Sequence, residues 1–343
     1  MLEIDGSLGE GGGQVLRSAL SLSLLTGKAF TMRNIRAART KPGLRAQHLA
    51  AVQAAARICQ ARVDGDRLGA GQIVFVPGAV RPGSYHFDIG TAGATSLVLQ
   101  TVLLPLALAQ GESQLSITGG THVPWSPCFH YLDWHWGPYL ARLGAKFELS
   151  LIMAGFYPQG GGEIQANISG ITGLKGLTIP RRGALLRMRG LSAVANLPVD
   201  IAERQRSQAL RGLRQLLGKA PLEIDIESLP ARSKGTLLLL LAEFEHSQAC
   251  FFALGERGKR AEQVADEALA SFVRFLTTDG TLDPWCADQI LLPLAMAHGP
   301  SELRTSEVTQ HLLTNAEVIR YFLPAKITVG GQLGKAALIA VSP

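Results

Sequence analysis

The chain has 343 residues, with 47% hydrophobic and only 17% charged, which excludes a disordered, charge-dominated protein. The mean hydropathy of +0.17 calls for a membrane check, but the longest apolar stretch, Leu97 to Ala109, is interrupted by Gln100 and Pro105 and is too short to span a bilayer. Met1 to Asp5 show no signal peptide, and Cys59, Cys128, Cys250 and Cys286 are widely spaced with no CxxC, so a cytoplasmic protein without disulfides or zinc is expected.

The charge pattern is more telling than the net +6. Of 33 basic residues, 24 are Arg and 9 are Lys, a bias toward the forked cation that grips phosphate in bidentate fashion. From Gly11 to Val63 there is no Asp or Glu, while Arg17, Lys28, Arg33, Arg36, Arg39, Lys41, Arg45, Arg57 and Arg62 all fall there. A solvated basic face would account for such a run. Its glycine punctuation and apolar helices favour a surface for nucleotide or nucleic acid.

In chain order, a glycine-rich loop (Gly9 to Gly13) leads into a helix over 14–26 that Gly27 closes. A strand follows over 30–36, a polar turn with Lys41, Pro42 and Gly43, a helix over 44–60, and strands near 61–63 and 72–76. The order recurs as a helix over 95–110 capped by Gly111, a strand over 114–118, a helix over 128–143 and a strand over 145–151. It recurs again as a helix over 287–298 closed by Gly299, a strand over 302–306, a helix over 311–323 and a strand over 326–329. The glycines stand 84 and then 188 residues apart, and an insertion of about 100 residues, the size of a small domain, explains the excess. The segment 185–276 fits it, with a strand over 185–194, a helix over 200–217, strands over 223–227, 235–244 and 248–255, and a helix over 261–276. The fold class expected is α+β: a large domain of three βα pseudo-repeats (1–184 and 278–343) interrupted by a small α/β domain (185–277).

Three features suggest chemistry. The loop Gly9-Glu10-Gly11-Gly12-Gly13-Gln14 lets backbone approach a ligand closely and opens a helix N-terminus that favours anions. Glu10 makes sense there if a divalent cation bridges it to phosphate oxygens. The turn carrying Arg36, Arg39, Lys41, Arg45 and Gln47 can converge donors on one phosphate group, with His48 as a supporting hydrogen bonder. His311 opens the helix that corresponds, in the third repeat, to the one following the Arg-rich turn. Nothing distinguishes Val308, Thr309 and Gln310 before it. His130 and His135, five residues apart, do not share a helix face as metal ligands would.

The strings GEGGGQVLRSALSLSLLTG, IRAARTKPGLRAQH, GGTHVPWSPC, GFYPQGGGE, GERGKRAEQVADEA, ADQILLPLAMA and HLLTN resemble the RNA 3′-terminal phosphate cyclases from about Leu2 to Phe322. The resemblance implies three βα repeats similar to the C-terminal domain of translation initiation factor 3 and to enolpyruvate transferases, with an insert of thioredoxin-like topology. It implies ATP-dependent conversion of an RNA 3′-phosphate into a 2′,3′-cyclic phosphodiester, through a histidine–AMP adduct on His311 and an RNA-3′-pp-5′-A intermediate. It places Glu10 at a divalent metal (Mg²⁺ or Mn²⁺), and Gln14, Gln100, Pro127, Tyr131, Trp285, Asp288 and Gln289 around the nucleotide. Arg17, Arg36, Arg39, Arg45 and Gln47 fall at the phosphates. Trp285 stands where Tyr or His is commoner, and His130 where Asp is usual. The partner implied is RNA with a 3′-phosphate end, and a homodimer is possible. The rival reading is a catalytically silent cyclase-like protein that binds RNA in ribosome biogenesis.

Overall fold

A computed structural model describes residues 1–343. The chain is mixed α+β, built of several small sheets and the helices packed on them. It opens β1 (Leu2–Asp5), α1 (Gln14–Thr26), β2 (Phe30–Arg33), α2 (Ala46–Cys59), β3 (Arg62–Asp64), β4 (Ile73–Val76). These strands form a sheet in the order β1-β2-β4-β3, with β1 and β2 parallel and the other pairs antiparallel. The next stretch is β5 (Ser84–Asp88), α3 (Thr95–Leu108), β6 (Ser113–Gly119), α4 (Phe129–Tyr131), a π turn over Leu132–Trp136, α5 (Gly137–Arg142), β7 (Lys146–Met153), β8 (Gly162–Ser169). Its sheet runs β5-β6-β8-β7 with the same sequence of parallel and antiparallel pairs.

After β9 (Leu174–Lys175) come β10 (Leu185–Ala195), α6 (Asp200–Leu217), β11 (Leu222–Ser228), β12 (Gly235–Phe244), β13 (Gln248–Leu254) and α7 (Ala261–Leu276). Their sheet is β11-β10-β12-β13, with β10 and β11 parallel and β12 antiparallel to both of its neighbours. The chain closes with α8 (Pro284–Ala295), β14 (Ala297–His298), β15 (Ser301–Thr305), α9 (Gln310–Phe322), β16 (Lys326–Gly330) and β17 (Ala337–Ser342). The last sheet is β15-β17-β16. Two short parallel bridges, Thr178 to Glu302 and Leu282 to Thr305, lie along the free edge of β15. The position that β1 and β5 fill in the first two sheets is thus filled here by two pieces of chain about a hundred residues apart in sequence.

Apolar periodicity explains the helix packing. α3 is buried on nearly every side, as expected of a helix apolar all round, and packs on α1 and α2, while α1 also packs on α9. A core of 77 buried residues runs through these helices and their sheets, and a separate core of 16 lies between the β10–β13 sheet and helices α6 and α7. No helix is long and apolar enough to cross a membrane.

Two of the three expected glycine caps differ. Gly27 ends α1 in the left-handed conformation. After α3, however, Gln110 takes that conformation at φ 55°, and Gly111 is needed for another reason, since a Cβ there would sit 2.6 Å from Pro82. Gly299 (φ 109°) serves the turn between β14 and β15, four residues beyond the end of α8. The Arg-rich α6 is also less open than its sequence suggests: Arg204 pairs with Glu262, and Arg214 closes on the Gly218 and Ala220 carbonyls.

Candidate active site

The cleft is assembled where three helix N-termini meet the glycine loop. Gly9 packs on α9, and Gly13 packs on His48 of α2 and on Arg17. A Cβ on Gly9 would fall 2.0 Å from Thr314 Oγ1, and one on Gly13 would fall 2.3 Å from His48 Nε2 and 2.6 Å from Arg17 Nη1. Only glycine permits so close an approach. Glu10, carried by this loop, reaches both Arg39 (Nη2 to Oε2, 3.3 Å) and His311 (Nε2 to Oε2, 3.5 Å). Arg39 and His311, 272 positions apart in sequence, therefore share one carboxylate.

His311 lies in the first turn of α9, whose N-cap Thr309 accepts the Leu312 N–H at 2.9 Å. The imidazole is 42% exposed. Burial pushes its pKa down; Glu10 opposes this, and Arg17 and Arg39 reinforce it. The ring is therefore neutral at pH 7, with a lone pair to offer.

Of the two cations that act on it, Arg39 is paired with Glu10 and Arg17 has no carboxylate partner. Arg17 is largely buried, and its only side-chain partner is Gln14 Oε1 at 2.9 Å. Loss of hydration brings its pKa down to about 10, so it stays charged and remains open to an anionic ligand. Arg45, the N-cap of α2, is exposed and makes no ion pair. Arg36 is committed locally, donating to the Lys41 and Gly43 carbonyls at 2.7 and 3.0 Å, and so shapes the turn that presents Arg39. Gln47 accepts the Ala94 N–H at the start of α3 (3.3 Å). His48 Nδ1 accepts the Arg45 N–H at 3.2 Å, and burial together with Arg17, Arg36 and Arg45 brings its pKa down to about 3.

The helix α8 forms the other wall. Asp288 accepts from Thr309 Oγ1 at 2.6 Å. Burial raises its carboxyl well above the usual range; Thr309 opposes this, while Asp283, Glu10 and Glu307 add to it. Gln289 accepts from Gln100 at 2.7 Å, and Trp285 is 41% exposed at the helix start. Pro127 is partly exposed just ahead of α4. Tyr131 does not line an open pocket, because its ring is completely buried. Its hydroxyl donates to Asp283 Oδ1 at 2.8 Å, and Asp283 also caps α8 through the Cys286 N–H and meets His135 Nε2. That bond holds the helix starts carrying Pro127 and Trp285 against each other.

Two residues of the cleft escaped the sequence reading. Asn315 accepts from Gln14 (3.0 Å) and Ser18 (2.7 Å) and donates to the Asp288 carbonyl (2.9 Å), locking α1, α8 and α9 together. Its spacing of four from His311, which puts both on one helix face, was the available signal. Thr309 was passed over although Thr before an apolar helix is an N-cap signature.

A neutral nucleophilic nitrogen beside unpaired guanidinium groups and a lone carboxylate can bind a polyphosphate and react with it, so the class of protein is an enzyme of phosphate chemistry. The chain belongs to the RNA 3′-terminal phosphate cyclase family: the family model of that description matches residues 8–329. An RNA 3′-terminal phosphate cyclase from Methylococcus capsulatus is 46% identical over 339 residues, covering 96% of this chain and 93% of the relative. Those of Archaeoglobus fulgidus and Nostoc punctiforme are 46% and 44% identical, covering 97% and 96% of this chain and 98% and 96% of the relatives. Among solved structures, the enolpyruvyl transferase NikO from Streptomyces tendae aligns at 17% identity and a TM-score of 0.30, over 50% of this chain and 33% of that one, a likeness too slight to carry weight.

Proposed function

We propose that this enzyme converts an RNA 3′-phosphate end to a 2′,3′-cyclic phosphodiester at the expense of ATP. The observation that carries the reading is His311, a neutral and open imidazole that shares Glu10 with Arg39 and feels the charge of Arg17, which has no counter-ion. In the first step its Nε2 attacks the α-phosphorus of ATP; the N–P bond forms, the bond to the bridging oxygen breaks, and pyrophosphate leaves. In the second, an oxygen of the RNA 3′-phosphate displaces the histidine, giving an RNA-3′-pp-5′-A anhydride. In the third, the neighbouring 2′-hydroxyl attacks the 3′-phosphorus and AMP departs. Activation is needed because a bare phosphate would have to expel hydroxide or oxide, whereas the anhydride expels AMP, and the tethered hydroxyl gains from proximity.

Arg17, Arg39 and Arg45 are assigned to the phosphates, with Arg36 and Gln47 holding the turn and the α3 start in place. Asp288, Gln289, Gln100, Trp285 and Pro127 are assigned to the nucleotide, and Tyr131 to positioning through Asp283. Glu10 is the one carboxylate paired with His311, and no group of three His, Cys, Asp or Glu side chains is placed to hold a metal ion by itself. That fits a Mg²⁺ or Mn²⁺ ion carried in on the phosphates and held by Glu10, where it would neutralise charge developing on them.

The strand orders support three pseudo-repeats (1–184 and 278–343), with 185–277 inserted at the edge of the third sheet. The β11-β10-β12-β13 order with β12 reversed supports a thioredoxin-like insert. Four buried free cysteines suit a reducing, cytoplasmic setting.

The test is to incubate the protein with α-labelled ATP and Mg²⁺ or Mn²⁺, then quench separately in acid and base. An acid-labile, base-stable AMP mapped to His311, absent from His311→Asn, is expected. No adduct with either metal would leave the silent RNA-binding relative as the better description.

A further inference from the structure

Trp125 is the most exposed large apolar side chain of the molecule, with 99% of it facing solvent. Its backbone lies at φ 65°, a left-handed conformation that tryptophan seldom adopts. No other ring stacks on it. A second ring, Tyr157, is 67% exposed on the adjoining loop. The two loops are pinned at their bases: the Thr121 and His122 amides both donate to the Gly155 carbonyl at 2.9 and 3.0 Å, and the His122 ring stacks on Phe156 at 4.9 Å. Both aromatic faces are thus held out at fixed points where nothing in the fold uses them.

Their position relative to the cleft gives them meaning. The Gln47 side chain accepts the Ala94 N–H, and Ala94 pairs with Gly120, two residues before His122. A Cβ on Gly160 would stand 2.7 Å from Ala92 Cα. A continuous line of contact therefore leads from the Arg-rich turn to both aromatic loops. At its far side Arg232 is exposed, packs its stem within 3.8 Å of where a Gly161 Cβ would lie, and makes no ion pair; Lys234 is exposed two residues on.

We propose that Trp125 and Tyr157 are a stacking platform for the unpaired nucleotides just upstream of the RNA 3′ end, with Arg232 on their phosphates, and that the enzyme therefore favours a single-stranded tail over a duplex end. The inference rests on the cyclase reading above. Aromatic faces beside a basic track hold single strands whatever their sequence, because every base offers a π face.

The experiment compares wild type, Trp125→Ala and Tyr157→Ala on three substrates ending in a 3′-phosphate: a single strand of about ten nucleotides, long enough to cover such a site, a dinucleotide, and a blunt hairpin. Formation of the AMP adduct without RNA is measured alongside. Both side chains are exposed, so the variants should fold. Wild type is expected to favour the single strand. Each substitution should raise KM for that substrate about tenfold, the loss of one stacked base, and leave the dinucleotide and the adduct unchanged. RNA should quench tryptophan fluorescence in wild type and not in Trp125→Ala. An unchanged KM overturns the proposal, as does a fall in adduct formation, which would assign Trp125 to the nucleotide, or a change in sedimentation alone, which would make this face a contact between copies. If wild type forms no adduct, the cyclase reading fails by itself, and the quenching by RNA still decides the platform.

Discussion

The environment of His311 sets the acid limb of adenylylation, because only the neutral imidazole is a nucleophile. Glu10 favours the charged ring, while Arg17 and Arg39 disfavour it. Replacing Glu10 by Gln removes the carboxylate that favours the charged ring, so besides weakening metal binding it should move the acid limb to lower pH. Replacing Arg39 by Ala removes a cation that disfavours the charged ring, so the limb should move to higher pH. A pH profile of single-turnover adduct formation reads both shifts, and a common direction for the two variants would refute the shared-carboxylate geometry. At this scale the sequence was legible in part. The carboxylate-free run marked Arg17 and Arg45, whose guanidinium groups are in fact free of counter-ions, and Arg39, which pairs with Glu10 from outside the run. It could not mark the pairing of Glu10 with His311, which arises only when α1 packs on α9. Nor could it tell that Tyr131 turns inward, since an aromatic at that helical position reads equally as pocket lining or as core.

Among the elements, α9 carries the nucleophile, and its first turn depends on Thr309. That hydroxyl accepts the Leu312 N–H while donating to Asp288. Thr309→Ala should cost about 1 kcal/mol of stability as a lost N-cap and should also lower the adduct rate about tenfold by loosening His311, an effect on the order of one misplaced contact. Urea unfolding and single-turnover kinetics measure the two parts, and a stability loss with an unchanged rate would show that the cap does not position the ring. The bounds of α1, α6, β12 and α7 were readable in full, because each has strong apolar periodicity and clear stop signals. Strands β1, β5, β8, β9, β14 and β17 were missed. β5 (Ser-Tyr-His-Phe-Asp) alternates only weakly and buries one residue of five, so its pairing with β6 supplies the order its sequence does not announce. The π turn at Leu132–Trp136 was hidden too, since nothing in a helical pattern marks one extra residue per turn.

On the scale of the whole molecule, the packing that builds the cleft also makes the fold sensitive to acid. His48, His122 and His130 are buried without carboxylate partners, and burial lowers all three: His48 to about 3, His130 to about 4, and His122 well below its ordinary value. His122 and His130 hydrogen-bond each other at 2.9 Å, and Thr121 lies 2.7 Å from His122, so protonation would force two cations together. The unfolded chain binds these protons near pH 6.5 and the folded chain does not. Stability is therefore complete above that value and is lost as pH falls toward 4. Asp288, whose carboxyl is raised by burial, acts in the opposite sense and offsets part of this. Each net proton taken up on unfolding costs about 1.4 kcal/mol of stability per pH unit, so stability should fall between pH 6 and 5. Urea midpoints at pH 7, 6 and 5 test this, with His122→Gln expected to flatten the slope. A stability independent of pH across that range would mean that these imidazoles reach solvent, and the cleft would then be looser than the arrangement of Gly13, His48 and Arg17 allows.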